Sequence, residues 1–237
     1  MCGRYALSKL PAELIEEFEI HTGATVGRIL PADWNIAPTK PIYIIRHNSA
    51  HQRELVTVSW GLIAPWSKDD ESALKSQSIA INARTETVDE KPTFRSAFAS
   101  RRCLIPADGY YEWATELSAP NKQPFYISRD DHRTLAFAGI WDRWVSPSGE
   151  IKESAAIITR PAVSFLADIH NRMPTFLPKD RWDDWMDADL KNPRELMEVA
   201  EPAAHLVAHP VSKAVNSTRN NGPELVAPID VEPETLF

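Results

Sequence analysis

The second residue of the chain is a cysteine, which follows Met1. Removal of Met1 would leave Cys2 with a thiol and a free α-amine, whose ordinary pKa values are roughly 8.5 and roughly 7.7–8. Such a pair can condense with an aldehyde through nitrogen and then close a five-membered ring through sulfur. Arg4 is expected to lower the thiol pKa, since a nearby cation favours the thiolate. From its position alone, a small apolar filler is the commoner role of such a cysteine.

Two further residues have side chains suited to proton transfer. Glu112 stands among aromatic residues at 109–113, where burial would raise its carboxyl pKa into the range useful for general acid–base catalysis. His170 follows a predicted helix, and histidine is the side chain most easily poised near neutral pH. Each has a plainer alternative: Glu112 could lie on the wet face of an alternating strand, and His170 could cap a helix.

Asn82 and Arg84 would share one face of an extended segment, because they lie two residues apart. An amide and a guanidinium placed together could orient a substrate hydroxyl and a phosphate, although a turn Asn and a surface Arg explain the segment equally well. Residues 209–222 could aim basic side chains at phosphate or form a plain surface loop. Tryptophans beside prolines at 34–38 and 60–66 could stack unpaired bases or pack in the core.

Composition indicates an ordinary soluble globular protein of 237 residues, with 43% hydrophobic and 25% charged residues. No linker or repeat divides it, so we predict one domain over residues 2–226 and a flexible tail over 227–237. Two cysteines argue against a disulfide framework and fit a reducing cytoplasm. We expect no signal peptide and no zinc site, and no apolar stretch approaches the ~18 residues that a membrane span needs. The net charge of −7 disfavours general nucleic-acid binding but allows a local basic patch.

Hydrophobic periodicity predicts more strands than helices. The strands and helices do not alternate regularly, which favours an α+β fold of largely antiparallel, barrel-like β-sheet with a few flanking helices. The predicted helices cover residues 11–20, 162–169, 179–187 and 193–200. The predicted strands cover residues 42–46, 55–62, 103–105, 110–113, 124–128, 135–145 and 155–159, with a turn at 106–109.

Seven motifs follow one another along the chain and together resemble the SOS-response-associated peptidase (SRAP) family, the abasic-site processing proteins. Each motif is weak alone, but their common order argues against chance. They are Met-Cys-Gly-Arg at 1–4, Asn-Ile-Ala-Pro at 35–38, Trp-Gly-Leu-Ile-Ala-Pro-Trp at 60–66, Ile-Asn-Ala-Arg-Thr-Glu-Thr at 81–87, Cys-Leu-Ile-Pro-Ala-Asp-Gly-Tyr-Tyr-Glu-Trp at 103–113, Asp-Ile-His-Asn-Arg-Met-Pro at 168–174 and His-Pro-Val-Ser-Lys-Ala-Val at 209–215.

The resemblance implies a protein that binds single-stranded DNA and shields abasic sites by forming a covalent thiazolidine with the ring-opened aldehyde. It makes Cys2 the nucleophile, Glu112 the proton shuttle, His170 an aid to sugar-ring opening and Asn82 an orienting residue. It also implies lyase and self-processing side reactions, and it implies no metal or cofactor. Because nothing suggests organelle targeting, we expect a bacterial cytoplasm, and we expect a monomer associated with the nucleoid. The DNA contacts that we predict are Arg4, Asn35, Pro38, Trp66, Arg84, Thr159, Arg172 and Lys213.

Three rival functions remain open at this point. Cys2, His170 and Glu112 could form the nucleophile, base and orienting group of a cysteine peptidase. The α-amine could instead serve as the base of an N-terminal-nucleophile amidase, or the chain could be a non-enzymatic DNA-binding module. Two departures from the family pattern affect the DNA contacts. Residues 69–78 form a polar insertion, and Met173 stands where a second basic residue is common.

Overall fold

Two β-sheets and six short helices make up the described part of the chain, residues 2–21, 25–114, 122–198 and 205–230 of a computed structural model. The strands are β1 (Tyr5–Leu7), β2 (Thr25–Val26), β3 (Asp33–Ile36), β4 (Pro41–His47), β5 (Arg53–Trp60), β6 (Asn82–Arg84), β7 (Arg102–Ala107), β8 (Gly109–Trp113), β9 (Pro124–Arg129), β10 (Leu135–Val145), β11 (Ile151–Pro161), β12 (Arg172–Pro174) and β13 (Leu206–Pro210). The helices are α1 (Pro11–Glu17), α2 (Asp70–Ile79), α3 (Pro92–Ser100), α4 (Leu166–Ile169), α5 (Trp182–Met186) and α6 (Pro193–Glu198).

Five strands of the larger sheet close into a barrel. β5, β4, β7, β10 and β11 pair antiparallel in that order, and β11 returns to β5 through a parallel pairing of Ala155 with Trp60. Beyond this closure, the end of β11 pairs with β6 on one side and β12 on the other. The predicted antiparallel, barrel-like α+β fold is confirmed. The closing strand pair is parallel, which the periodicity of single strands does not reveal.

The smaller sheet is ordered β13-β9-β8-β1-β3, and its strand β8 follows the barrel strand β7 after a single residue. Asp108 is the residue between β7 and β8, and its Oδ2 accepts hydrogen bonds from the backbone N–H and the hydroxyl of Ser8, at 2.6 and 2.7 Å. The predicted turn at 106–109 is therefore shorter, because Pro106 and Ala107 continue β7. This tight connection places β8 beside β1 and brings residue 112 near the amino terminus.

The core lies inside the barrel and under the helices that cover it. Tyr5 packs edge-on against Trp60 and Phe137, with ring centroids 5.2 and 6.1 Å apart. Arg102 is also buried, and its guanidinium donates to backbone carbonyls of α3, of Trp185 and of the residue after α5. Burial lowers its pKa to about 10. Hydrogen bonds from this buried cation to backbone carbonyls thus join two helices.

Several element boundaries differ from those predicted. The helix predicted at 11–20 ends at Glu17, and that predicted at 162–169 contains only α4 because the chain turns through a positive φ of 54° at Ser164. The helix predicted at 179–187 is a 3-10 turn (Lys179–Arg181) followed by α5. The helix predicted at 193–200 is observed to Glu198, and residues 199–200 lie outside the described part.

Two helices were not anticipated from the sequence. α2 buries only Ala73 and Gln77, so it lacks an apolar stripe, and it begins where Asp69 accepts a 2.7 Å hydrogen bond from the N–H of Ser72. α3 begins with a proline in its first turn. The first residues of the predicted tail belong to the fold: Pro228 pairs with Val211, and residues 231–237 lie outside the described part.

Candidate active site

The four residues predicted to do chemistry lie together where the amino terminus meets the end of the barrel. The Nδ2 of Asn82 donates a 2.7 Å hydrogen bond to the carbonyl oxygen of Cys2. The Oε2 of Glu112 lies 3.9 Å from Nε2 of His170. The charge of Glu112 also acts on the Cys2 thiol. These side chains come from the segment before β1, from β6, from β8 and from the residue after α4, so only the tertiary fold assembles them.

Asn82 is held in place by the backbone around the tryptophan motif. The indole Nε1 of Trp60 donates to the carbonyl of Ile81 at 3.0 Å, and the N–H of Leu62 donates to the carbonyl of Ala80 at 3.0 Å. Gly61 has a φ of 106°, and a Cβ there would lie 2.1 Å from the carbonyl oxygen of Gln77. The glycine is therefore required for the close approach of this loop to the end of α2.

Glu112 is buried, with 3% of its surface exposed, so the alternative of a wet strand face is wrong. β8 is an interior strand of its sheet, and both of its faces are covered. Tyr110 packs into the main core, while Tyr111 packs into a second cluster that includes Val211 and Val215. Burial raises the pKa of the Glu112 carboxyl to about 7. The side chain can therefore both give and take a proton near neutral pH.

The Cys2 side chain is fully buried. The pKa of its thiol is raised well above the ordinary value, mainly by burial and to a lesser extent by the charge of Glu112. Only the backbone of Arg4 acts to lower this pKa. The expected effect of the Arg4 cation is wrong, because its guanidinium bonds elsewhere. Its Nη1 donates to Oδ1 of Asn35 at 2.7 Å and to the carbonyl of Val215 at 2.8 Å. The thiol is thus kept protonated until a base removes its proton.

His170 follows α4 as its C-cap residue, and its N–H donates to the carbonyl of Leu166 at 3.0 Å. The capping alternative is therefore correct, but the ring also reaches the site. Its Nδ1 accepts a 3.0 Å hydrogen bond from the N–H of Arg172, which assigns the ring proton to Nε2, the atom that faces Glu112. Burial lowers the pKa of His170, so the neutral ring is favoured.

The predicted DNA contacts divide by exposure. Arg84 and Lys213 are exposed, and Trp66 exposes 56% of its surface on a loop whose Ser67 carbonyl accepts from the indole of Trp144. Pro38 is partly exposed beside β3. These four side chains are open to a ligand.

Two other predicted contacts, Asn35 and Thr159, are completely buried. The prediction that they contact DNA directly is therefore corrected: they support the residues around them. The Nδ2 of Asn35 donates to the carbonyls of Val215, Ser217 and Asn220, at 3.3, 2.9 and 2.9 Å. Asn35 and Arg4 therefore fasten the amino-terminal segment to the loop at 213–220. Asparagine in a motif gives no sequence signal that separates this role from ligand binding.

Arg172 already has an anionic partner, Glu86. Its Nη2 donates to Oε2 of Glu86 at 3.0 Å and to the carbonyl of Thr159 at 2.6 Å, and its Nη1 bonds the other carboxylate oxygen. This pairing lowers the pKa of Glu86 to about 2. Sequence reasoning passed over Glu86, since nothing in the spacing of Arg84 and Glu86 indicates a partner on another strand.

No set of three potential metal-ligating His, Cys, Asp or Glu side chains occurs among the described residues. Within the same residues, every helix is too short or too polar to cross a bilayer.

Comparison with known proteins gives a consistent result. A family model described as SOS response associated peptidase (SRAP) matches residues 1–218. Abasic site processing protein YoqW of Bacillus subtilis is 37% identical, covering 95% of this chain and 99% of its own length. Abasic site processing protein HMCES of Mus musculus is 30% identical, covering 98% of this chain and 77% of its own length.

Solved structures show the same fold. A crystal structure of a protein from Bacteroides thetaiotaomicron superposes with a TM-score of 0.84 at 26% identity, covering 96% of this chain and 100% of that one. A second, from Bordetella bronchiseptica, gives a TM-score of 0.74 at 30% identity, covering 89% of this chain and 100% of that one. With the family model matched over residues 1–218, the chain belongs to the SOS response associated peptidase (SRAP) family.

Proposed function

We propose that this protein captures abasic sites in single-stranded DNA through a covalent bond to Cys2. The names of its bacterial and mouse relatives, abasic site processing proteins, support the substrate. The observation that carries the proposal is the hydrogen bond from Asn82 to Cys2 beside a carboxyl group whose pKa is about 7. A nucleophile, an orienting amide and a proton shuttle are the parts that imine chemistry requires.

The reaction begins with the α-amine of Cys2, freed by loss of Met1. The amine nitrogen adds to C1′ of the ring-opened sugar, and the resulting carbinolamine loses water to give an imine. The thiol sulfur then bonds to the imine carbon, and the thiol proton passes to nitrogen. One aldehyde and one cysteine thus give one thiazolidine and one water, with no oxidant or reductant. β-Elimination from the imine before ring closure would cleave the strand, which accounts for lyase activity as a side reaction.

Glu112 serves both proton transfers of this sequence. Near neutral pH its carboxyl is about half protonated, because burial raises its pKa to about 7. The acid form gives a proton to the departing hydroxyl as the imine forms. The carboxylate then takes the proton of the thiol, whose own pKa is raised by burial. Reversal of the crosslink uses the same transfers in the opposite order.

Asn82 and His170 hold the reactants. Asn82 fixes the Cys2 carbonyl through Nδ2, and its buried Oδ1 has no hydrogen-bond partner among the described residues. That oxygen is free to accept from the Cys2 amine or from a sugar hydroxyl. The Nε2–H of His170, next to Glu112, assists opening of the sugar ring. Arg84 and Lys213 offer cations to the phosphates, and Trp66 offers a ring for stacking. We place the protein on DNA as a monomer in a bacterial cytoplasm.

The test is a denaturing gel and an intact mass after incubation with a single-stranded oligonucleotide that carries one abasic site. We expect a heat-stable adduct whose mass is the protein without Met1 plus the DNA minus one water. Cys2→Ala retains a terminal amine, so it should give an adduct only after borohydride reduction, with its DNA affinity nearly unchanged. A heat-stable adduct from Cys2→Ala without borohydride, or Met1 still present in the adduct, would refute the proposal.

A cysteine peptidase is the second candidate, since the family name carries that word. In such an enzyme, one nitrogen of the imidazole ring hydrogen-bonds to the thiol and the other to the carboxylate. Here Nδ1 of His170 accepts from the Arg172 N–H and Nε2 faces Glu112. This arrangement disfavours thiol activation by His170. Cleavage of added peptides without any DNA adduct would reverse the choice.

A further inference from the structure

The carboxylate of Glu86 forms a forked ion pair with the guanidinium of Arg172. Both carboxylate oxygens face the two terminal nitrogens of the guanidinium, which is the forked geometry that arginine uses for carboxylates and phosphates alike. The Arg172 side chain is 12% exposed, whereas that of Glu86 is 47% exposed. Glu86 therefore covers the guanidinium from the solvent side.

This ion pair lies directly beside the candidate active site. The N–H of Arg172 donates to His170, and its Nη2 donates to the carbonyl of Thr159. The same Thr159 carbonyl accepts from the N–H of Thr85, at 2.9 Å, next to Arg84. A strand of DNA whose abasic sugar reaches Cys2 would thus bring its neighbouring phosphates close to Arg84 and Arg172.

Glu86 is ionised at every physiological pH, because its bond to Arg172 lowers its pKa to about 2. Its competition with another anion is therefore set by charge and salt, with no contribution from protonation. Thr159 holds the Arg172 guanidinium through a second hydrogen bond, so Arg172 keeps an anchor when the carboxylate leaves.

We propose that Glu86 is a resident anion in the phosphate subsite of Arg172, and that a DNA phosphodiester must displace it for tight binding. The inference rests on the proposed function, since it needs single-stranded DNA as the ligand. Glu86 then weakens binding to any single strand, and stable occupancy depends more on capture of the lesion at Cys2. Glu86 would thereby act as a specificity residue rather than as part of the covalent chemistry.

The rival role for Glu86 is to hold Arg172 in a productive position, and the two roles predict opposite signs. Glu86→Gln keeps the shape of the side chain and removes its charge. If Glu86 is a resident anion, the substitution frees Arg172 for phosphate and tightens binding. If Glu86 is a support for Arg172, the substitution weakens binding.

The experiment measures equilibrium binding of undamaged single-stranded DNA at several salt concentrations, with Cys2→Ala as the parent so that no covalent adduct forms. We expect Glu86→Gln to tighten binding about three- to tenfold and to steepen the plot of log K against log salt by about 0.7, the increment for one more phosphate contact on a single strand. Glu150→Gln is the matched control. It makes the same charge change just before the other end of β11, a strand about 33 Å long.

A double-mutant cycle with Arg172→Gln tests whether the effect passes through Arg172. The gain from Glu86→Gln should vanish in the Arg172→Gln background. Unchanged or weaker binding by Glu86→Gln, a gain that persists without Arg172, or an equal gain from Glu150→Gln would overturn the inference while leaving the proposed function intact. Failure of the Cys2→Ala parent to bind single-stranded DNA, together with no adduct from the unsubstituted protein at abasic sites, would overturn both.

Discussion

Glu112 and His170 face each other across the site, with 3.9 Å between Oε2 of the carboxyl and Nε2 of the ring. Burial acts in opposite directions on the two groups: it raises the pKa of Glu112 to about 7 and lowers that of His170. Both neutral forms are therefore populated near neutral pH. A neutral acid beside a neutral imidazole can pass protons to a sugar without holding a buried ion pair.

Glu112→Gln should slow crosslinking at least about a hundredfold, within the range typical of a lost general acid–base group. Glutamine fills the same space but cannot exchange a proton, so the change in rate centred near pH 7 should also disappear. Single-turnover crosslinking over a series of pH values measures both effects. Crosslinking rates within threefold of those of the unsubstituted protein, with the same pH profile, would show that Glu112 takes no part in proton transfer.

Glu112 should also make the folding stability of the unsubstituted protein fall as the pH rises. Its folded-state pKa of about 7 exceeds the ordinary value of 4.5, so the native state binds the proton more tightly than the unfolded chain. This contribution, roughly 3 kcal/mol, is complete below about pH 4.5 and is lost as the pH rises through about 7. Urea unfolding of the unsubstituted protein and of Glu112→Gln, at both ends of this pH window, measures this contribution. Equal pH dependence in the two proteins would contradict the assigned pKa.

Asn82→Asp should slow crosslinking about five- to tenfold while leaving affinity for undamaged DNA within about twofold, as expected for one lost hydrogen bond of ~1 kcal/mol. An aspartate cannot donate to the Cys2 carbonyl, which accepts from Asn82 at 2.7 Å. Asn48→Asp is the control, because within the described residues the Asn48 side chain acts only as an acceptor, from the N–H groups of Ala50 and Gln52. A control that is slowed as much as Asn82→Asp would show a general charge effect.

Gly61→Ala should destabilise the protein by more than about 2 kcal/mol, since it combines a positive φ with a backbone clash. A Cβ at Gly61 would lie 2.1 Å from the Gln77 carbonyl oxygen, whereas a Cβ at Gly149 would meet nothing within 4 Å. Gly149 also has a positive φ, of 86°, so Gly149→Ala isolates the backbone strain. Chemical denaturation compares the two variants. Equal losses would show that the approach to α2 carries no cost of its own.

The sequence predicted seven of the thirteen strands in the described residues, β4, β5 and β7–β11, because runs or alternations of apolar residues mark them. β5, for example, alternates buried and partly buried residues toward Trp60, and the predicted strand at 55–62 overlaps it. It did not anticipate α2, whose exposed surface leaves no apolar stripe, or the parallel closure between β5 and β11. Local periodicity records which face of an element is covered, but it does not record which element covers it.

The candidate site divides in the same way. The residue types and motif order alone singled out Cys2, Asn82, Glu112 and His170. Tertiary structure decided that Glu112 is buried, because the covering of both faces of β8 depends on distant segments. It also determined that Asn35 hydrogen-bonds to a loop and that Glu86 forms an ion pair with Arg172. The chemistry open to each side chain follows from its residue type, which the sequence gives directly. The pKa of that side chain and its availability to a ligand follow from neighbours that only folding brings into contact.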